Sequence, residues 1–237
     1  MLEVRGLAAG YGGAQILFDL ALEARAAEVV VLLGRNGAGK STTLKTLAGL
    51  IRPQAGEIRL DGQRIDGMPS YRIARAGLGY VPEDRRIFAD LTVAENLEVG
   101  RQAQRHRRRA NHAPWSFERI VELFPNLATM RDRLGGRMSG GEQQMLTIAR
   151  TLMGNPTTIL LDEPSEGLAP VIVEQVIKAI IELKQARLCV LLSEQNLRFA
   201  QAVADRAYII EKGHIRYAGT MAELASDATV REQYLSV

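Results

Sequence analysis

The chain has 237 residues, of which 46% are hydrophobic and 24% are charged, a balance that suits a globular protein with one sizeable core. The net charge is only +3, and the basic residues are scattered apart from one run, Arg105 to Arg109, which does not favour a nucleic-acid-binding protein. We interpret that run as a solvated loop or helix face, with a contact to anionic lipid or to a partner subunit as the alternative.

Strand and helix patterns alternate along most of the chain. Residues 2–30 predict short strands and turns, and Val29 to Leu33 predicts a strand buried on both faces of a parallel sheet. A loop from Gly34 to Gly39 and a helix from Ser41 to Leu50 follow. Further strands are predicted over residues 58–60, 78–81, 158–161, 188–192, 207–210 and 213–216, and further helices over 71–76, 171–184 and 197–204. This alternation indicates an α/β fold with a mostly parallel sheet.

The stretch from Glu83 to about Gly154 is polar and helical, in contrast to its surroundings. Helix spacing is found over residues 93–100, 117–123 and 143–152. We therefore predict a single domain over residues 1–237. Its core comprises residues 1–83 and 154–237, and a helical subdomain over residues 84–153 is inserted into it.

The sequence predicts a reducing compartment and no membrane-spanning segment. Cys189 is the single cysteine, so no disulfide can form within the chain. The N-terminus lacks a signal-peptide pattern, and the apolar run Val29 to Leu33 is too short to span a bilayer. We expect a protein that is cytosolic or peripheral to the membrane.

A phosphate-binding loop is the clearest chemical motif. Gly34, Arg35, Asn36, Gly37, Ala38, Gly39, Lys40 and Ser41 match the pattern G-x-x-x-x-G-K-[ST], with an apolar strand before it and a helix after it. Backbone N–H groups and the helix dipole favour an anion there. Lys40 is expected to reach the β- and γ-phosphates of a nucleotide and Ser41 to bind Mg²⁺, and Thr42 is expected to belong to the same nucleotide-binding site. The alternative is a glycine-rich turn of an unrelated Rossmann-type protein.

Two carboxylates end the apolar strand Thr158 to Leu161. Asp162 can hold Mg²⁺, directly or through water, and Glu163 can polarise a water aimed at the γ-phosphate. The alternative is a strand that ends in a polar turn, which Pro164 would support. The phosphate loop upstream favours the catalytic interpretation.

A second helix start carries an unusual pair of glycines. Ser139 and Glu142 predict a capping box, yet Gly140 and Gly141 each cost a helix about 1 kcal/mol relative to alanine. Glycine allows another group to approach the backbone closely, and a helix start with free N–H groups attracts anions. We infer that both helix starts hold one nucleotide, or that two copies share two nucleotides.

At this point the sequence resembles a known family. Met138-Ser-Gly-Gly-Glu-Gln143 is similar to the signature motif of ATP-binding cassette (ABC) proteins, and the motif order matches over essentially the whole chain. The resemblance implies a P-loop NTPase (RecA-like) core with an N-terminal antiparallel β region and an inserted helical subdomain. It implies that Tyr11 stacks on adenine, although a simple turn tyrosine is the alternative. It also implies γ-phosphate contacts made in trans, to the ATP of a second subunit, by Ser139, Gly140, Gly141 and Gln143.

Three positions depart from the general family pattern. Glu83 stands where the family usually has a glutamine that touches Mg²⁺ and the lytic water, and a carboxylate can still ligate a cation. Gln195 stands at the position of the switch histidine, where it can donate to a γ-phosphate but cannot carry a proton charge. Ala169 replaces an aspartate of the loop that crosses the dimer interface.

These departures make the chain similar to LivF-type subunits of branched-chain amino acid importers. The stretches that carry this resemblance are 81–88, 138–145, 162–170 and 194–196. It implies an ATPase with Glu163, Lys40 and Gln195 in catalysis. The expected partners are a LivG-like ATPase or a second copy, two transmembrane permease subunits and, indirectly, a periplasmic solute-binding protein. The expected location is the inner face of the cell membrane, without nucleic acid.

Other functions remain open at this stage. Importers for urea, short amides and other organic solutes use similar subunits. A soluble ABC ATPase of DNA repair, translation or cofactor assembly is a different class, disfavoured because the chain has no sustained heptads and only one cassette. A P-loop kinase would have no use for the signature motif.

Overall fold

The computed structural model describes residues 1–101 and 114–235, so the basic run Arg105 to Arg109 lies outside the described residues. The strands are β1 (Leu2–Tyr11), β2 (Ala14–Ala24), β3 (Val29–Leu33), β4 (Ala55–Leu60), β5 (Gln63–Arg64), β6 (Leu78–Val81), β7 (Thr158–Asp162), β8 (Cys189–Glu194), β9 (Arg206–Glu211) and β10 (His214–Thr220). The helices are α1 (Lys40–Leu47), α2 (Ser70–Ala76), α3 (Val93–Gly100), α4 (Phe117–Leu123), α5 (Pro125–Thr129), α6 (Gly140–Met153), α7 (Pro170–Gln185), α8 (Leu197–Val203), α9 (Met221–Ser226) and α10 (Ala228–Leu235).

The N-terminal region forms an antiparallel sheet in the order β2-β1-β4-β5. Val4 of β1 pairs with Leu22 on one side and Ile58 on the other. The buried residues of β1 alternate with more exposed ones, because successive side chains of a strand point to opposite faces. β1 and β2 are longer than the short strands that the sequence predicts.

The second sheet has six strands in the order β10-β9-β3-β8-β7-β6. All neighbours from β9 to β6 are parallel, and β10 pairs antiparallel at the edge. β3 and β8 are buried along their whole length, as expected for central strands covered on both faces. The carboxyl ends of the parallel strands meet at one edge, where Gly34, Glu163 and Gln195 follow β3, β7 and β8.

Two hydrophobic clusters cover the two faces of this sheet. Val30 and Leu32 of β3 belong to the cluster between the two sheets, which includes Leu44 of α1. Val31 and Leu33 belong to the other cluster, which extends to Met145 of α6 and to residues of α3, α4, α7 and α8. The helices of residues 84–153 therefore share a core with one face of the sheet. The proposed subdomain boundaries stay a prediction.

The α/β fold with a mostly parallel sheet, an antiparallel N-terminal region and inserted helices is confirmed. Individual bounds differ from the prediction. α1 ends at Leu47, before Leu50, because Gly49 has a φ of +73°, whereas α6 begins at Gly140, directly after the predicted cap residue Ser139. The short elements β5, α5, α9 and α10 were not predicted. No helix in residues 1–101 or 114–235 is long and apolar enough to cross a membrane.

Candidate active site

The phosphate loop turns tightly between β3 and α1. The Gly34 N–H donates to the Glu194 carbonyl oxygen at 3.3 Å, and the Ala38 N–H donates to the Arg35 carbonyl oxygen at 3.1 Å. A Cβ atom at Gly34 would lie 2.5 Å from the Ile210 carbonyl oxygen, and Gly39 has a φ of +114°. Both positions therefore need glycine, the first for space and the second for its backbone conformation.

Lys40, the first residue of α1, points back into its own loop and is only 3% exposed. Its Nζ donates to the carbonyl oxygens of Gly34 at 2.8 Å and Arg35 at 3.1 Å. It also lies 3.0 Å from Glu163 Oε1. A buried charge is costly unless it is paired and hydrogen-bonded, and here two of the three residues predicted to be catalytic, Lys40 and Glu163, pair with each other.

Asp162 is fully buried at the end of β7 and accepts three hydroxyl groups. Ser41 and Ser193 donate to Oδ1 at 2.9 Å and 2.7 Å. Tyr80 on the neighbouring strand β6 donates to Oδ2 at 3.0 Å. Burial and the adjacent Asp162 charge raise the pKa of Tyr80, which keeps this hydroxyl protonated as a donor. The carboxylate is thus held in one orientation before any cation arrives.

These donors suit Mg²⁺ when phosphate oxygens supply further ligands. Ser41 and Asp162 offer one hydroxyl and one carboxylate, and Mg²⁺ in phosphate sites is typically held by one or two carboxylates plus substrate oxygens and water. Within the described residues no cluster of three or more Asp, Glu, His or Cys side chains could form a cage by itself. The chemistry of the donors therefore fits a cation that arrives with a nucleotide.

Glu163 begins the loop after β7 in a left-handed conformation, with a φ of +46°. Its N–H donates to both the carbonyl oxygen and the hydroxyl of Ser193, each at 3.1 Å. Gln195 Nε2 donates to Glu163 Oε2 at 3.3 Å. Lys40 and Gln195 therefore contact the two oxygens of one carboxylate. A residue strained in this way and held by its surroundings is typical of a functional position.

One cleft of about 380 Å³ is lined by nine of the eighteen predicted site residues. Tyr11 at its wall is 49% exposed, which leaves its ring free to stack on a ligand. Glu83 is exposed at the same cleft. The lining residues are Tyr11, Ile16, Asn36, Gly37, Gly39, Lys40, Ser41, Thr42, Glu83, Glu163 and Glu166. Residues 139–143 are not among these described lining residues.

Glu166 adds a carboxyl group to this cleft that the sequence interpretation did not assign to catalysis. A hydrogen bond with Glu163, burial, and the negative charges of Glu163, Glu83 and Glu194 raise the pKa of Glu166 to about 7. The Glu166 N–H also donates to the Glu163 carbonyl oxygen at 3.1 Å. Among the described residues that line the cleft, Glu83, Glu163 and Glu166 can carry negative charge and Lys40 positive charge, so the cleft has a local excess of negative charge.

The signature segment begins α6 with the predicted capping box. The Ser139 N–H donates to Glu142 Oε2 at 2.7 Å, and the Glu142 N–H donates to Ser139 Oγ at 3.3 Å. The Gln143 side chain donates to the carbonyl oxygens of Gly135 and Met138 at 3.2 Å and 3.3 Å. Its side-chain amide thus bonds to its own subunit, and its predicted phosphate contact stays a prediction.

Packing within the chain also bears on the two glycines of this segment. A Cβ atom at Gly140 would lie 2.8 Å from Arg85 Nη1, and one at Gly141 would lie 2.8 Å from Ile172 Cγ1 of α7. The sequence interpretation attributed the glycines to an approaching ligand alone. Ile172 would have to shift to admit a side chain at Gly141, whereas Arg85 Nη1 is the end of a flexible side chain that can move away from one at Gly140. Close packing within the chain therefore also favours glycine at position 141.

Three polar residues that organise the site were not assigned from the sequence. Tyr80 and Ser193 hold Asp162, and Glu194 accepts hydrogen bonds from both loops that flank it. Each of them lies within or at the end of an otherwise apolar parallel strand. That position is the signal that could have identified them, since ligands bind beyond the carboxyl ends of such strands.

Comparison with known proteins identifies one matching family and several relatives. Residues 17–166 match the family described as ABC transporter. The chain is 43% identical over 235 residues to the high-affinity branched-chain amino acid transport ATP-binding protein BraG of Pseudomonas aeruginosa, covering 99% of each chain. It is 38% identical over 239 residues to the lipopolysaccharide export system ATP-binding protein LptB of Haemophilus influenzae, covering 99% of this chain and 97% of the relative.

A more distant relative and a solved structure agree with these matches. The probable branched-chain amino acid transport ATP-binding protein LivF of Archaeoglobus fulgidus is 33% identical over 225 residues, covering 94% of each chain. A nucleotide-free ATP-binding cassette from an ABC transporter has a TM-score of 0.83 at 24% identity, covering 100% of this chain and 99% of that one. At this identity the structural match supports the fold.

Proposed function

The chain belongs to the ABC transporter family, and from this premise we propose that it is the ATP-hydrolysing subunit of an importer for branched-chain amino acids. One observation supports the proposed ATP hydrolysis. Lys40, Asp162 and Glu163 meet at the carboxyl edge of the parallel sheet, beside a phosphate loop. The solute assignment rests on the 43% identity to BraG over nearly the whole chain.

The nucleotide would lie along the cleft between Tyr11 and the phosphate loop. Backbone N–H groups of residues 34–41 and the N-terminus of α1 attract the phosphates. Lys40 would exchange its contact with Glu163 for the β- and γ-phosphates, and Tyr11 would stack on adenine. The presence of the exposed Tyr11 ring and of Lys40 in the lining of the same cleft supports this orientation.

Mg²⁺ would be held by Ser41 and Asp162, and Glu83, which lines the same cleft as Ser41, would act through water. Bound there, the cation would neutralise charge on the phosphate oxygens. Tyr80 and Ser193 keep the Asp162 carboxylate oriented. These hydroxyls act on the carboxylate and not on the cation.

Hydrolysis requires a water activated next to the γ-phosphate. We assign Glu163 as the group that polarises this water once Lys40 has moved to the phosphates. Gln195 would orient the γ-phosphate or the water with its amide, which already reaches the Glu163 carboxylate. Since glutamine does not titrate, it can act only as a hydrogen-bonding group.

A second subunit would complete the site. The signature residues Ser139, Gly140 and Gly141 would contact the γ-phosphate held by the partner, which is a LivG-like ATPase or another copy of this chain. The N-terminal N–H groups of α6 offer an anion site of the required kind. Gln143 would take part only if its side chain leaves the carbonyl oxygens of Gly135 and Met138.

An apolar groove supports attachment to a membrane partner. Leu50, Tyr71, Phe88 and Val99 line this groove of about 410 Å³, and each exposes 47 to 55% of its surface. Large exposed apolar residues that cluster in this way mark interaction surfaces. We propose that a cytoplasmic helix of a permease subunit binds in the apolar groove, which would hold the chain on the inner face of the membrane.

Lipopolysaccharide export is a second candidate role, because LptB is 38% identical over almost the full length. The ATP site would work in the same way in either role. The transported molecule would be read by the membrane and periplasmic components, so the two roles differ in partners.

Uptake by intact cells tests the solute assignment. Cells that carry Glu163→Gln in place of the native chain should lose high-affinity uptake of radiolabelled leucine, isoleucine and valine. The control is Glu98→Gln, which changes an exposed glutamate of α3 paired with Arg101. Unchanged uptake of all three amino acids would contradict the proposal, and a loss of urea or amide uptake would select the alternative importers.

Capture of the tagged chain from detergent-solubilised membranes tests its attachment. Permease subunits should copurify, and substitution of Val99 by Asp in the apolar groove should release them. Copurification with ribosomes or DNA in place of permease subunits would favour a soluble ABC ATPase.

A further inference from the structure

Glu194 is a buried glutamate that the proposed chemistry does not use. It ends β8 and is only 1% exposed. A carboxylate buried in this way requires hydrogen bonds to offset the loss of water. Burial raises the pKa of Glu194, and the hydrogen bonds from Ser165 and Asn196 oppose that increase.

Its two carboxylate oxygens face two different loops. Oε1 accepts the Ser165 N–H at 3.1 Å, in the loop that begins with Glu163. Oε2 accepts the N–H groups of Gln195 and Asn196, both at 3.2 Å. One side chain therefore joins the loop of the proposed water-activating group to the loop of its glutamine partner.

The backbone of Glu194 reaches a third segment. Its carbonyl oxygen accepts the Gly34 N–H at 3.3 Å, at the start of the phosphate loop. This bond extends the parallel pairing in which Glu194 lies beside Leu33. All three segments that would surround the γ-phosphate thus meet at one residue.

We propose that Glu194 is a positioning residue for hydrolysis that sets the distance between Glu163 and Gln195. The inference rests on the proposed function. Ser165 follows Glu163 by two residues with the rigid Pro164 between them, so fixing the Ser165 N–H limits where the Glu163 carboxylate can lie. A displacement of about 1 Å at a reacting group can cost about 100-fold in rate.

The chemistry of the carboxylate predicts that glutamine cannot make the same set of hydrogen bonds. An ionised carboxylate accepts at both oxygens, whereas an amide presents one acceptor and one NH₂ donor. In Glu194→Gln the amide oxygen would keep the two N–H groups of Gln195 and Asn196. The NH₂ would then face the Ser165 N–H, and the loop of Glu163 would be released while the phosphate loop stays intact.

Steady-state kinetics of the purified full-length chain, or of its complex, test this. Glu194→Gln should lower kcat by about 100-fold and leave KM for ATP within about twofold, since KM reports the intact phosphate loop. Glu194→Asp keeps both acceptor oxygens on a shorter side chain. It should recover part of the lost kcat, and it still tests the role of Glu194 if Glu194→Gln fails to fold.

Glu28 provides the matched control at the opposite end of the sheet. Its carboxylate accepts the Arg25 N–H at 2.8 Å and lies 3.2 Å from Arg206 Nη1, so it joins the turn before β3 to the start of β9, remote from the cleft. Glu28→Gln should lower the thermal midpoint and leave kcat unchanged. If Glu194→Gln likewise lowers only the thermal midpoint, or if kcat and KM change together, the positioning role is wrong. A wild-type chain without ATPase activity would instead contradict the proposed function.

Discussion

Lys40 and Glu163 form a buried ion pair, with Nζ and Oε1 3.0 Å apart and both side chains almost inaccessible to water. The side chains proposed to bind phosphate and to activate water therefore neutralise each other in this structure. In the proposed mechanism, a nucleotide draws Lys40 away before Glu163 acts on a water. The ion pair would thus link phosphate binding to the release of the Glu163 carboxylate.

Glu163→Gln should bind ATP more tightly than the wild-type chain. The substitution removes the charge that holds Lys40 and also removes a negative charge near the phosphates. We expect the Kd for ATP to fall by about tenfold, equivalent to about 1.4 kcal/mol, in equilibrium binding with excess EDTA to prevent turnover. Glu142→Gln, at the start of α6 outside the cleft, should leave the Kd unchanged. An equal or weaker affinity of Glu163→Gln would show that the ion pair does not oppose binding.

Tyr80→Phe should change the Mg²⁺ dependence of hydrolysis. The Tyr80 hydroxyl holds Asp162 Oδ2, and loss of a partner that orients a metal ligand typically costs 10- to 100-fold in affinity or activity. We expect the half-saturating Mg²⁺ concentration to rise by about tenfold, with the Kd for ATP in EDTA unchanged. Tyr208→Phe removes a comparable buried hydroxyl that bonds Arg206, and it should leave the Mg²⁺ dependence unaltered. If hydrolysis by Tyr80→Phe depended on Mg²⁺ in the same way as hydrolysis by the wild type, the Tyr80 hydroxyl would not be needed to orient Asp162 for Mg²⁺.

Glu166→Gln should alter how stability depends on pH in the nucleotide-free chain. The hydrogen bond with Glu163 raises the pKa of Glu166 from 4.5 to about 7. Between these values the folded chain binds more protons than the unfolded chain at this residue, so its contribution to the free energy of unfolding falls as pH rises. The thermal midpoint of the wild type should therefore fall relative to that of Glu166→Gln from pH 5 to pH 8. Glu174→Gln, on the exposed face of α7, should follow the wild type, and a constant difference for Glu166→Gln would refute the assignment.

The packing of Gly141 against Ile172 and its proposed contact with the nucleotide of a partner subunit can be tested separately. Alanine there should clash with Ile172, whose Cγ1 would lie 2.8 Å from the new Cβ atom, although in a relaxed helix alanine is favoured over glycine by about 1 kcal/mol. Gly141→Ala alone should lower the thermal midpoint and turnover. Adding Ile172→Ala should restore the thermal midpoint, yet turnover should stay below that of Ile172→Ala alone. Full recovery of turnover in the double variant would mean that packing alone requires the glycine.

Much of the fold could be predicted because local patterns and the parallel sheet agree. The apolar runs of β3, β7 and β8 identify strands covered on both faces, and the glycines of the phosphate loop require its turn. The short helices after Thr220 were missed because they have few residues and weak periodicity. The end of α1 was misplaced because the left-handed Gly49 stops the helix before its apolar pattern ends.

The candidate site was predictable where a motif fixes spacing and was not predictable where contacts cross the sheet. Lys40 and Ser41 follow from one short pattern. Tyr80, Ser193 and Glu194 lie on strands distant in sequence, and only the strand order brings them beside Asp162 and Glu163. The internal packing of Gly141 on Ile172 likewise depends on how α6 meets α7, which no local pattern contains.

Phosphate release by the membrane complex tests the central claim most directly. The tagged chain, wild type or Glu163→Gln, would be captured with its partners from solubilised membranes and supplied with Mg²⁺ and ATP. The proposed role of Glu163 predicts equal recovery of partners and a rate at least about 100-fold lower for Glu163→Gln, in line with the loss of a general base. Phosphate release at the wild-type rate by the Glu163→Gln complex would contradict it.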